Sequence, residues 1–387
     1  MKDLLIITNY YPPETGAASN RIFHLSQGLQ KYNFNVSVLT PLPNYPKGRV
    51  FEGYRGRFKQ TSIENDITIH RLWIYASNSK NKLLRLIAML SYSLSLIWFF
   101  IWNKIPKTVI IQSPPLLVAF TSVLFLRSKK RKLILNVSDL WPLAALELGA
   151  LKKNFGYKIL EKIERFNYRH ADLILGQSDE ILAHVSSIYK HKNSLLYRNY
   201  PYFKAPLPTY KTQTSDKLKI VYAGLLGIAQ GILKLCKELD YSKIQFHIYG
   251  AGAEQLAIQY LIKNNTELDI IYHGEVSRQK LHSVLTQYDV TIIPLLNRIY
   301  GSVPSKIFEY ARLGMPMLYF GGGEGETVIN KYELGWVANA SDYTELNTVI
   351  SNLDKTKLAL ENRIKIQKTA LNCFDFNKQL KQLIEII

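Results

Sequence analysis

Short apolar runs of four to six residues recur along the chain, separated by longer stretches with helical spacing of apolar positions. In the first half the runs are Leu4–Asn9, Asn35–Thr40, Thr68–Trp73, Thr108–Gln112, Lys132–Val137 and Leu173–Gly176. In the second half they are Lys219–Ala223, Gln245–Tyr249, Ile270–His273, Val290–Pro294, Met317–Phe320 and Gly335–Ala338. They do not alternate strictly between apolar and polar, as expected of parallel strands covered on both faces. Strands and helices in turn predict α/β architecture: two Rossmann-like, doubly wound domains with right-handed crossovers. Asn199–Ser215 holds Pro201, Pro206 and Pro208, keeps no periodicity, and reads as the linker. The organisation expected is residues 1–200, residues 201–370, and a C-terminal helix over 371–387 packing back on the first domain. Such sheets bind ligands beyond the carboxyl ends of their strands, so the two sets of strand ends are expected to face each other across a cleft.

One segment breaks the pattern. Leu83–Trp102 reads LLRLIAMLSYSLSLIWFFIW and is flanked by Lys80, Lys82, Lys104 and Lys107. Its 20 residues are long enough to span a bilayer, but Arg85 and the serines and tyrosine at 91, 92, 93 and 95 interrupt it. Spanning would also split an α/β domain. An interfacial amphipathic helix with Trp98 and Trp102 at headgroup level is the more economical reading. A helix packed wholly on its own sheet is the alternative.

Composition sharpens this picture. A chain of 387 residues is too long for one ordinary core, and 47% hydrophobic against 20% charged residues suits a globular protein. The net charge of +19 is uneven: residues 1–200 hold 28 Lys and Arg against 12 Asp and Glu, and the remainder hold 21 against 18. An anionic surface is therefore expected to meet the first domain only. The aromatic, apolar helix favours lipid over nucleic acid, for which charge is the only argument. Cys236 and Cys373 are the only cysteines, so neither a disulfide framework nor a zinc site is implied, and a reducing compartment is expected. The apolar run after Met1-Lys2-Asp3 is too short for a signal peptide and reads as a buried strand, which predicts a cytoplasmic protein.

Candidate chemistry gathers at strand ends. After the first strand, Gly16 and Ala17 precede a helix whose unpaired N–H groups suit an anion, although a Gly turn without a ligand reads the same way. Asp139 follows the strand ending at Val137; it either faces the ligand edge, where it can orient or deprotonate a hydroxyl, or caps the next helix. In the second half Gly224, Gly250 and Gly274 close three strands, the last followed by Glu275 and Val276. Pro294–Gly314, PLLNRIYGSVPSKIFEYARLG, is richest. Arg298 and Lys306 can balance a diphosphate, and Ser302, Val303 and Ser305 can offer backbone N–H groups at a helix start. Glu309, one turn past Lys306, can hold two vicinal hydroxyls or merely form a surface pair with that lysine. His24, His170, His184 and His282 fall in helical patterns and read as surface or satisfied core residues; His273, at a strand end, is the exception. Glu324 and Glu326 in GGGEGE read as part of a solvated Gly loop, with contact to a sugar as the alternative.

Taken in order, YYPPETGAASNR, TPLPNYPKGRVFEGY, DLWP, YAGLLGIAQG and PSKIFEYARLGMP resemble glycosyltransferase family 4, and more narrowly its WbuB-like O-antigen and capsule transferases of the L-fucosamine type. The resemblance covers essentially the whole chain. It implies the GT-B fold, retention of anomeric configuration, and no metal or other cofactor. It implies a UDP-sugar donor, an undecaprenyl-pyrophosphate-linked acceptor, and a peripheral place on the inner face of the cytoplasmic membrane. Carried over by position, Gly16 and Ala17 touch the donor phosphates, Glu309 matches the second glutamate of the E-x7-E motif and holds the ribose, and Ser305 and Lys306 lie beside the diphosphate. Gly274 to Val276 line the base pocket, and Asp139 sits where the acceptor approaches. Two departures are plain: the first glutamate of the motif falls at Gly301, and the Arg and Lys that many members use on the diphosphate fall near Leu225 and Gln230. A UDP-sugar 2-epimerase and a non-catalytic subunit of a polysaccharide assembly complex remain as alternatives.

Overall fold

Apolar runs with no polar face can be buried only between two layers of helix. The computed structural model describes residues 2–77, 79, 81–208 and 217–387, without the side chains of Lys82 and Arg85, and in it these runs become strands of two sheets, all of them inner strands except Ile270–His273 and Gly335–Ala338, which lie at the edges of the second. The chain divides into two compact units, 1–199 with 376–387 and 200–375. The second half of the expected linker, together with Lys80, lies outside the described residues.

The first unit holds β1 (Lys2–Ile7), β2 (Phe34–Pro41), β3 (Lys59–Glu64), β4 (Ile67–Leu72), β5 (Thr108–Ser113), β6 (Lys132–Val137), β7 (Leu173–Gly176) and β8 (Ser194–Leu196). Their order is β3-β4-β2-β1-β5-β6-β7-β8. All neighbours are parallel except β3, which pairs antiparallel with β4 from Lys59↔Leu72 to Glu64↔Ile67. This hairpin corrects the all-parallel expectation. Its sequence, KQTSIE, has no apolar run because β3 is an exposed edge, where charge is tolerated and discourages further pairing. The helices are α1 (Ala17–Lys31), α2 (Lys82–Trp102), α3 (Leu116–Leu126), α4 (Leu143–Glu147), α5 (Phe155–His170) and α6 (Asp179–Ile188).

The second unit is parallel throughout. It contains β9 (Leu218–Ala223), β10 (Ile244–Tyr249), β11 (Ile270–Gly274), β12 (Val290–Pro294), β13 (Met317–Phe320) and β14 (Gly335–Ala338), ordered β11-β10-β9-β12-β13-β14. Covering them are α7 (Ile232–Glu238), α8 (Gln255–Asn264), α9 (Arg278–Leu285), α10 (Lys306–Arg312), α11 (Glu324–Lys331), α12 (Tyr343–Ser351) and α13 (Leu360–Cys373). Two apolar clusters lie on opposite faces of this sheet, one around Phe246 and Ile292, the other around Phe308 and Tyr319.

The last helix, α14 (Phe376–Ile386), belongs to the first unit. It packs on α1 at Gly28, where an added Cβ would come within 2.5 Å of Leu380. Gln379 accepts the N–H of Arg198 at 2.7 Å and donates to its carbonyl at 2.9 Å, so both buried backbone groups are satisfied by one side chain.

Helix α2 has an inverted face. Its polar residues point inward: Tyr92 donates to the carbonyls of Thr8 and Leu39, Ser91 accepts the N–H of Tyr75, and Ser95 donates to Trp73. Leu83, Leu94, Trp98, Ile101 and Trp102 point outward, each more than 60% exposed. No helix among the described residues is long and apolar enough to cross a membrane, so the spanning alternative falls. One face of the helix packs on its own sheet and the other lies open.

Candidate functional site

In a doubly wound sheet the crevice opens where neighbouring strands send their connections to opposite sides. In the second unit that point lies between β9, which is followed by β10 on one side, and β12 on the other. A pocket of about 270 Å³ opens at these strand ends. Gly224 and Leu225 line it from β9, Tyr249, Gly250 and Ala251 from β10, Glu275 and Val276 from β11, and Leu281 from α9. Gly274 is not in the lining; its carbonyl accepts the N–H of Gly250 at 2.8 Å and so ties two strand ends together.

Lys306 starts α10 and reaches back to this pocket. Its Nζ lies 4.4 Å above the ring of Tyr222 and packs on Gly224 so closely that a Cβ there would collide with it. Burial lowers its pKa to about 8, against the opposing charge of Glu309. The two do not pair. Glu309 instead takes hydrogen bonds on Oε1 from Arg278 Nε at 2.9 Å and His282 Nε2 at 2.7 Å, both from α9. Burial alone would raise the pKa of this carboxyl, but the His282 bond and the Arg278 charge outweigh it and hold it below the usual range. The surface pair envisaged between Lys306 and Glu309 is thus replaced by a pinned carboxylate. The helical position of His282 gave no hint of this role, because only the crossing of α9 and α10 brings it to Glu309.

The remaining residues of this stretch scatter. The N–H of Ser302 is engaged by the carbonyl of Ile299, and Val303 is 2% exposed in the core, which leaves less free backbone than the sequence suggests. Ser305 already has helical angles and makes no side-chain cap. Arg298 is exposed, lies over Tyr300, and packs on the turn at Gly323 that opens α11. Glu324, the first residue of α11, is 5% exposed, so GGGEGE is a helix start rather than a solvated loop. His273 is exposed on the edge strand β11, where it stacks on Tyr249 at 4.3 Å and bonds to His247 at 2.9 Å, so its ring is already engaged by neighbouring side chains.

In the first unit the switch lies between β1 and β5. Gly16, at φ 144, caps α1, and Ala17 is its first residue, with no acidic side chain in the first turn. The loop before it is fixed by Glu14, which is 3% exposed and accepts the N–H groups of Asn44 and Tyr45 at 2.8 Å each. Asp139 lies two residues past β6. The capping alternative fails, since α4 starts only at Leu143 and no side chain caps it. Burial pushes the Asp139 carboxyl up to about 6, against the pull of Arg21. Arg21, on α1, is 5% exposed and hydrogen-bonds Gln177 beyond β7. Neither stood out in the sequence. The signal was there, however: Arg21 precedes Leu25 by one helical turn, on the face that α1 buries.

Among the described residues no group of three or more His, Cys, Asp or Glu side chains is placed to hold a metal ion.

Comparison with known proteins follows the same division. Residues 16–190 match the family model described as glycosyl transferase 4-like domain, and residues 218–355 match that described as glycosyl transferases group 1. No curated protein matches the chain in sequence at a significant level. Among solved structures, sucrose-phosphate synthase from Thermosynechococcus elongatus superposes with a TM-score of 0.74 at 11% identity, over 100% of this chain and 98% of that one. HepE of Anabaena, in complex with UDP-glucose, gives 0.66 at 14% identity, with 100% of both chains covered. WaaG, a glycosyltransferase involved in lipopolysaccharide biosynthesis, gives 0.68 at 12% identity, with 99% of both covered. These likenesses carry the fold, and the two family matches carry the activity. With two parallel-sheet Rossmann-like domains, each matching a transferase family over most of its own length, the chain is a glycosyltransferase of the GT-B type.

Proposed function

We propose that the enzyme transfers an N-acetylated hexosamine or deoxyhexosamine, with retention, from a UDP-sugar to a saccharide carried on undecaprenyl pyrophosphate, in O-antigen or capsular polysaccharide assembly. The observation that carries the donor half is Lys306 seated against Gly224 at the pocket edge, one helical turn from a carboxylate pinned through a single oxygen. Pinning Oε1 of Glu309 leaves Oε2 for a ribose diol. Glu275 and Val276 offer backbone to the base, and Lys306, Arg298 and the N–H group at Ser305 balance the diphosphate as the bond to the sugar breaks. With Leu225 and Gln230 where many members have cations, Lys306 carries more of that charge. Asp139 receives or orients the acceptor hydroxyl. No resident cofactor is needed. The complex of HepE with UDP-glucose and the place of WaaG in lipopolysaccharide biosynthesis support the choice of donor and pathway by analogy.

The open face of α2 fits an anionic membrane surface. Lys104, Lys107, Arg127, Lys129 and Lys130 are exposed, and Arg131 bonds to Pro106 so that the two basic segments lie together beyond the Trp98–Trp102 end of the helix. Aromatic residues beside clustered cations bind anionic lipid cooperatively.

Calorimetry with UDP on Lys306→Ala tests the donor site. We expect affinity to drop at least ten-fold and turnover against a panel of UDP-sugars to fall further, because developing charge on the leaving phosphate needs the cation more than ground-state UDP does. Unchanged affinity and turnover would remove Lys306 from the mechanism, and no UDP binding by the native chain would favour a non-catalytic subunit.

A further inference from the structure

We propose that Arg21 is a positioning residue for Asp139: a guanidinium buried on α1, tethered by Gln177, whose charge holds the acceptor-side carboxylate ionised and in place. A guanidinium removed from water loses several kcal/mol of hydration unless its N–H groups and charge are both answered. Arg21 is 5% exposed, yet only one of its nitrogens, Nη1, is hydrogen-bonded, to Oε1 of Gln177. Nε and Nη2 are buried without a partner among the described residues. Such an arrangement does not stabilise the fold by itself, and a core position one turn before Leu25 would pack better with an aliphatic side chain.

What answers the charge is Asp139. β6 and β7 run side by side with Val137 opposite Gly176, so Asp139 and the Gln177 that Arg21 bonds leave the sheet as neighbours, and the Asp139 carboxylate is the negative group that acts on the guanidinium; past the end of β8 the phenol of Tyr197, 1% exposed, is the other titratable neighbour. Gln177, after β7, is neutral. Asp139 forms no ion pair within 4.0 Å among the described residues, so its oxygens are not consumed by the cation that steadies it. A carboxylate in direct contact with arginine would be a poor acceptor for a substrate proton. One held at a short remove stays charged and available. Burial raises the Asp139 pKa and the Arg21 charge opposes that rise, so the buried cation and the reactive carboxylate explain each other.

The inference rests on reading Asp139 as the acceptor-side carboxylate, but its test does not need turnover. Protein labelled with 13C at the aspartate carboxyl is titrated by NMR, with Asp139→Asn assigning the resonance. In Arg21→Gln the Asp139 midpoint should rise by one pH unit or more, while Arg21→Lys should bring it back to within half a unit of the native value. An Asp139 midpoint unmoved in folded Arg21→Gln overturns the proposal. If that variant does not fold, the native protein decides: the Arg21 Nε resonance should show a transition at the Asp139 midpoint that vanishes in Asp139→Asn, and a flat Arg21 resonance overturns the proposal equally. Should the midpoint move while Asp139→Asn keeps full transferase activity, the pair stands and the acceptor role of Asp139 falls.

Discussion

Single side chains set the chemistry of both units through burial. Lys306 has a pKa near 8 in the free protein because burial disfavours its charge. It is a cation below that value and neutral above it, so UDP affinity should hold steady from pH 6 to 7.5 and then weaken by up to about ten-fold per pH unit above 8. Calorimetry across this range checks it, and the dependence should be missing in Lys306→Ala. Gly224 controls the same lysine sterically: φ is 154 and the space for a Cβ is filled by Nζ. Gly224→Ala should therefore lose UDP affinity about as severely as Lys306→Ala while the protein still melts cooperatively. Asp139 shows the opposite sign. Its pKa is about 6 folded against an unperturbed 3.8, so the stability it contributes is complete below pH 3.8 and disappears as pH rises through 6. Asp139→Asn, which imitates the protonated form, should raise the melting temperature at pH 8 by the equivalent of about 1–3 kcal/mol and leave it unchanged near pH 4, at the expense of turnover.

At the scale of elements, α2 has one packed and one open face. Ser91, Tyr92, Ser95 and Leu96 pack inward while Leu83, Leu94, Trp98 and Trp102 are exposed, so the two faces can be mutated apart. Tyr92 is fully buried and serves two backbone carbonyls, and Tyr92→Phe should cost about 1–3 kcal/mol in urea unfolding. Leu94→Ser with Trp98→Ser removes only exposed apolar surface; stability should be kept while flotation with anionic liposomes is lost. Flotation equal to that of the native protein, with or without anionic lipid, would reject the lipid reading of this face. The sequence showed the length and apolarity of this helix. It did not show that the polar residues would face inward, because periodicity marks the two faces without saying which of them the sheet takes.

Over the whole molecule, the chain begins and ends in the same unit. The return of α14 to α1 depends on the small residue at Gly28 and on Gln379, whose amide satisfies both backbone groups of Arg198. Gln379→Leu leaves a buried N–H and C=O unmet and should destabilise the first unit by about 1–3 kcal/mol, with little effect on UDP binding in the second. Separate thermal transitions followed with and without UDP would show whether the loss is confined in this way.

Strands β1, β2, β4–β7, β9, β10, β12 and β13 were legible in the sequence because an inner parallel strand must be apolar on both faces, and that demand is local. An edge makes no such demand: β3 and β8 were missed, and β11 and β14 were found only because their short runs happen to be largely apolar. Gly224, Lys306 and Glu309 could be picked out one by one, as a glycine at a strand end or a cation at a helix start. That Glu309 answers to Arg278 and His282 rather than to Lys306, and that Arg21 lies buried beside Asp139, was decided only by which helices cross. Burial and charge act through space, and their consequences for pKa and pairing appear only once distant segments of chain have met.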